Sequence, residues 1–318
     1  MDYFLGIVGQ DKAINQLKKS LDHGSISHAY LFAGPAGVGK MQAALAFARS
    51  IISQEDKQAG VYFREQIHPD LLVIEKIENR SLIAKEQITR QLEPWMALKP
   101  YQAKHRIAII RDAHLMSLEA ANALLKTLEE PPYYAVIILI SDDENILETI
   151  VSRCQILHFL PVAEKEIEKL LNEHGFKGEQ AARAAKLSQG SVANAIRFAS
   201  EEGLQDTWEI ALGLIKDLAL GHRVAVFEAA DKLQQNPELI INIAETILRD
   251  VLVRQGGSQD LLLASEAPEI FALLEGKNRN KLMKVILDID KLKTYYRRNV
   301  NPLLLNTIIS YELWDAIQ

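Results

Sequence analysis

A parallel α/β domain followed by an all-helical region (α/β plus all-α) is the fold class this sequence predicts. Three observations carry that expectation. Short Val/Ile/Leu runs alternate with helical patterns through the first half, a glycine-rich turn ending in lysine joins the first run to a helix, and strand-like runs stop after Pro161. Apolar runs with little polar alternation suit parallel strands covered by helices on both faces. Their alternation with helices indicates a doubly wound sheet.

Taken in order, strands are expected over residues 29–33, 71–75, 106–110, 135–140 and 155–160. Helices are expected over residues 41–52, 83–97 and 118–130, the last stopped by Pro131 and Pro132, which cannot continue the helical hydrogen bonding. Beyond Pro161, residues 163–174, 178–187 and 191–200 read as short helices set apart by Gly175, Gly178 and Gly190. Longer helices follow over 204–218, 223–234, 237–254, 267–274, 279–294 and 302–317, with Asn236–Pro237 and Asn301–Pro302 among the breaks. The expected layout is an α/β domain over 1–162, a small helical domain over 163–203 and a larger helical domain over 204–318.

The 318 residues carry 36 Lys and Arg against 42 Asp and Glu, a net charge of −6, and a single cysteine. One cysteine excludes a disulfide framework and a zinc site built from several thiolates. No apolar run reaches the ~18–20 residues of a membrane span, and the opening residues lack a secretory pattern, so a cytoplasmic protein with no membrane partner is expected. An isoelectric point near 5.8 argues against holding nucleic acid through overall positive charge.

Gly34-Pro35-Ala36-Gly37-Val38-Gly39-Lys40 sits between the first strand and a helix, the context of a phosphate-binding loop. Gly34, Gly37 and Gly39 let backbone N–H groups turn inward, the helix N-terminus adds partial positive charge, and Lys40 adds a full one. Hydrolytic loops of this kind follow the lysine with Ser or Thr, whose hydroxyl holds Mg²⁺. Here Met41 follows, and a thioether is a poor ligand for a hard cation. The third strand runs into Arg111-Asp112-Ala113-His114, where a hydrolytic protein carries a metal-holding Asp and a water-polarising Glu. In either register that pair is incomplete, and a guanidinium beside the site repels a cation. No metal is expected, and ATP hydrolysis by this chain is not expected.

Asp112-Ala113-His114-Leu115-Met116-Ser117, Ala120-Ala121-Asn122-Ala123-Leu124-Leu125-Lys126-Thr127-Leu128-Glu129-Glu130-Pro131-Pro132 and Ser152-Arg153-Cys154 together resemble the AAA+ core of bacterial DNA polymerase III clamp-loader subunits. Val8-Gly9-Gln10, His28-Ala29-Tyr30-Leu31-Phe32 and, more weakly, Arg298-Asn299-Val300-Asn301-Pro302-Leu303 point the same way. The resemblance implies a RecA-like AAA+ P-loop domain, a helical lid and a helical collar that assembles a ring. It implies gamma/tau and delta subunits as partners, the sliding clamp and primed DNA reached through the complex, and a place in the bacterial replisome. It also implies a role for Arg153, offered in trans to the γ-phosphate of ATP on an adjacent motor. Family ATPases place an arginine after Gly-Ser-x in the lid, whereas Gly190-Ser191-Val192 is followed here by Ala193. Residues 53–69 lack the four cysteines with which many relatives bind zinc, so no zinc is expected. No cofactor is required on this reading, while retention of ATP or ADP in the degenerate loop stays open.

Two other readings remain open at this point: an autonomous AAA+ ATPase (a gamma-like motor or helicase loader), and a nucleotide sensor that binds without hydrolysis. Lys99, Lys104, His105, Arg106 and Arg111 form a basic stretch that suits phosphate contact but reads better as a solvated flank. Lys291, Lys293, Arg297 and Arg298 with Tyr295 and Tyr296 read as collar packing, Asp142-Asp143-Glu144 as solvated acids, and His68-Pro69-Asp70 as a structural turn.

Overall fold

The computed structural model describes residues 2–64, 68–77, 80–142, 146–200, 204–257, 268–297 and 300–318. The apolar runs form β1 (Ala29–Ala33), β2 (Leu71–Ile74), β3 (Arg106–Ile110), β4 (Ala135–Ser141) and β5 (Gln155–His158), all parallel, in the order β2-β3-β4-β1-β5. The two edge strands are shorter than their apolar runs suggest, since each has one partner only. Side chains alternate across the sheet. Tyr30, Phe32, Ile107, Ile109, Val136, Ile138 and Leu157 face one side, and Ala29, Leu31, Ala108, Ile110, Ile137 and Leu139 the other.

The first side is covered by α1 (Asp11–Asp22), α2 (Lys40–Glu55) and the short α3 (Ala59–Arg64). The expected elements begin at residue 29 and leave α1 unassigned, although Ala13, Ile14 and Leu17 bury one face of it. A π-helical turn (Gln87–Leu92), α4 (Glu93–Ala97), α5 (Leu118–Glu129) and α6 (Glu148–Val151) cover the second side. The single helix expected over 83–97 is interrupted for a physical reason. Pro94 has no amide to donate and crowds the carbonyl four residues back, so the turn before it widens. Ile83 lies outside that helix and pairs with Met116, its amide donating to Leu115 O at 2.8 Å.

Two compact units are present: Met1–Gly175 with Gln189–Asn194, and Phe176–Ser188 with Ala195–Gln318. The first holds the sheet and α7 (Glu164–Glu173). The second is helical among its described residues, with α8 (Glu179–Leu187), the larger part of α9 (Val192–Ser200), α10 (Leu204–Leu220), α11 (Ala225–Lys232), α12 (Pro237–Gln255), α13 (Pro268–Leu274), α14 (Arg279–Lys293) and α15 (Pro302–Ile317). Helix α12 is buried nearly all round, as a central helix must be. Asn236 and Asn301 cap α12 and α15 by accepting from first-turn amides, each followed by a proline whose missing N–H costs nothing there. Among the described residues no helix is long and apolar enough to cross a membrane.

Candidate functional site

The glycine-rich loop leaves the C-terminal end of β1, where the strand order reverses between β1 and β4, the usual ligand position in an open α/β sheet. Its glycines are required by close neighbours inside the chain. A Cβ on Gly34 would lie 2.1 Å from the carbonyl oxygen of Phe159, and one on Gly37 (φ +74°) 2.2 Å from Ser191 Oγ. Gly39 is the left-handed N-cap of α2. The Ala193 amide donates to Gly37 O at 3.0 Å, so the 190–193 turn lies directly on the loop.

Lys40 is turned into this arrangement. Its side chain is 3% exposed and 2.8 Å from Asp142 Oδ1 at the end of β4. Nζ also donates to Gly34 O at 2.6 Å and to Pro35 O. The positive charge that would meet a phosphate is thus matched by a carboxylate and loop carbonyls. Lys40→Met is expected to lower stability by about 1–3 kcal/mol without any nucleotide present, because the buried contacts of Nζ with Asp142 and two loop carbonyls are lost. Denaturant unfolding of the variant checks this; an unchanged midpoint would show a lysine that works only on bound ligand.

Two positions that serve Mg²⁺ in a hydrolytic protein of this kind carry other chemistry here, Met41 and Arg111. Met41 packs on the apolar cluster below the loop. Arg111 Nη1 is 3.1 Å from Glu75 Oε1, with Asp112 Oδ2 3.8 Å from Arg111 Nε. Burial opposes the Arg111 charge, but the Glu75 hydrogen bond and the charges of Asp112 and Asp142 outweigh it and raise its pKa above the ordinary arginine value. Asp112 holds a left-handed backbone (φ +54°), uncommon for a residue with a side chain. A guanidinium tied into carboxylates here, and a thioether after Lys40, are poor partners for Mg²⁺.

Arg153 is not brought to this loop. It stands just before the N-terminal end of β5, while the loop follows the C-terminal end of the parallel β1, with Tyr30 opposite Gln155 and Ala33 opposite His158. Three strand steps separate those pairs, ~10 Å along the sheet, so Arg153 and the chain's own loop occupy opposite ends. Arg153 is one-third exposed and paired with Glu129 at 2.7 Å. Burial pushes the neighbouring Cys154 thiol up to about 11, which leaves it protonated at neutral pH and poorly suited as a nucleophile.

Two structural anchors, Gln10 and Asp70 of the expected His68-Pro69-Asp70 turn, hold segments distant in sequence. Gln10, quoted only as part of a motif, donates to Val38 O at 3.2 Å and Leu160 O at 2.7 Å and accepts from the Leu160 amide, tying the loop to the exit of β5. Asp70 is fully buried and accepts from the amides of Tyr101, Gln102 and Ala103 at 2.7–2.9 Å. Arg106, expected in a solvated basic flank, is buried instead: its guanidinium stacks on Trp95 at 4.4 Å and faces Asp70 at 3.5 Å. Lys293 is occupied by Glu245 at 2.6 Å rather than presented to solvent. Asp143, Glu144, Arg298 and Asn299 lie outside the described residues, as does the Arg297 side chain.

The family described as "DNA polymerase III, delta subunit" matches residues 9–163. DNA polymerase III subunit delta' of Bacillus subtilis (strain 168) is 29% identical over 301 residues, covering 85% of this chain and 90% of that protein. DNA polymerase III subunit tau/gamma of Haemophilus influenzae is 30% identical over 213 residues, 62% of this chain and 30% of its own length. Subunit tau of Bacillus subtilis is 29% identical over 239 residues, 72% of this chain and 40% of its own length. The chain therefore spans less than half of those two longer relatives.

Proposed function

We propose that this chain is a member of the bacterial DNA polymerase III clamp-loader family, a ring subunit that lends Arg153 to a neighbouring gamma/tau ATPase without splitting ATP itself. One asymmetry carries the reading. The groups for hydrolysis are replaced or internally paired, with Met41, Arg111 and Ala193 at the key positions and Lys40 bound to Asp142, while Arg153 stays accessible at the far end of β5. A guanidinium suits the trans role because it stays charged and can contact two phosphate oxygens.

Under this reading residues 1–162 form the AAA+ domain, 163–203 the lid and 204–318 the collar. Helix α15 supports a collar that meets neighbours: Leu303, Leu304, Ile308 and Tyr311 are exposed on it, whereas Leu305, Ile309, Leu313 and Ile317 are buried. Apolar surface of this extent suits a partner. The partners are gamma/tau and delta subunits, with the sliding clamp and primed DNA engaged through the assembled complex in the cytoplasmic replisome. The subunit needs no cofactor of its own. Incubating the isolated chain with Mg²⁺ and ATP tests the reading. Phosphate release at background is expected, and sustained magnesium-dependent release would establish the autonomous ATPase instead.

A further inference from the structure

We infer that Glu129 parks the Arg153 guanidinium, so that the finger engages a neighbour's ATP by exchanging one anion for another; the inference rests on the trans role of Arg153. Arg153 Nη2 donates to Glu129 Oε1 at 2.7 Å, the length of a charge-assisted bond, and Nη1 donates to Thr149 O at 2.8 Å. The guanidinium therefore bridges the last residue of α5 and the carbonyl of Thr149 in α6, and both of its terminal nitrogens already hold an oxygen. Glu129 is half exposed and Arg153 one-third exposed, so the pair is open to competition from an incoming anion.

Charge decides the direction. A finger accelerates cleavage by directing positive charge at the γ-phosphate. Beside Glu129 that charge is cancelled, and a donor needed for a two-point contact is committed. A triphosphate carries more negative charge than one carboxylate and can displace it, but the displaced Glu129 remains close and repels the same phosphate. The carboxylate therefore opposes the finger in the assembled ring and holds it still before assembly. An exposed ion pair is worth little, which bounds the opposition to a small factor.

The test uses rings reconstituted from this chain with purified gamma/tau and delta subunits, reading single-turnover ATP cleavage and the KM for ATP. Glu129→Gln keeps the shape and an acceptor oxygen but removes the charge. It is expected to raise cleavage about two- to fivefold at unchanged KM, and the gain should vanish when Arg153→Ala is added. A rate unchanged or lowered by Glu129→Gln, or a gain that survives in the double variant, would overturn the parking role. Arg153→Ala alone reports separately on the finger: if it leaves cleavage untouched, the trans reading fails, whereas a slow Arg153→Ala with an inert Glu129→Gln rejects only the parking role.

Discussion

Arg153→Ala is expected to slow ATP cleavage at the one nucleotide site it faces by on the order of 10³-fold, the lower end of what a trans arginine supplies in related nucleotide switches. Ring assembly should persist, because the side chain is partly exposed and its pairing with Glu129 is a surface contact of small energy. Turnover of the reconstituted complex on primed DNA checks the first expectation, and its elution on a sizing column checks the second. The expectation follows from placement. Parallel β1 and β5 put Arg153 and the chain's own loop at opposite ends of the sheet, so under the proposed function its target is a nucleotide on a neighbour. Unchanged DNA-stimulated turnover would remove the assignment.

The second large effect concerns stability. Asp70→Asn is expected to cost about 3–5 kcal/mol, since it leaves Arg106 buried without its counter-charge and sets an NH₂ group against backbone amides that need an acceptor. For a unit of this size each kcal/mol moves the midpoint by ~2–4 °C, so a fall of roughly 6–20 °C is expected in thermal unfolding. A shift below ~2 °C would mean the amides and guanidinium find other partners. The site matters to function through placement: the loop that Asp70 fixes leads directly into β3, whose far end carries Arg111 and Asp112.

Much of this architecture was readable residue by residue, and the exceptions have physical causes. Strands β1 and β3 fall on their expected limits because continuous apolar runs mark them, and α5 ends where the paired prolines forbid another turn. The phosphate loop was visible because its glycines and lysine are contiguous. What those glycines are for was not visible, because Phe159 and Ser191, which press on Gly34 and Gly37, lie more than a hundred residues away in sequence. The Asp142 partner of Lys40 and the Asp70 partner of Arg106 are likewise set by sheet order rather than by local pattern. A short basic run reads as solvent-facing until the fold supplies Trp95 and Asp70 to cover one of its members. Gln10 was distinguishable only as a motif letter, its three hydrogen bonds being made to segments brought near by β1 and β5.

The proposed division of labour between the loop and Arg153 is tested most directly by measuring magnesium-dependent phosphate release from the purified chain alone and then in a ring with gamma/tau and delta. The account predicts background release from the chain alone and, in the ring, a stimulated rate that collapses when Arg153 is replaced by alanine. Sustained release from the isolated chain, or a stimulated rate indifferent to Arg153, would contradict it.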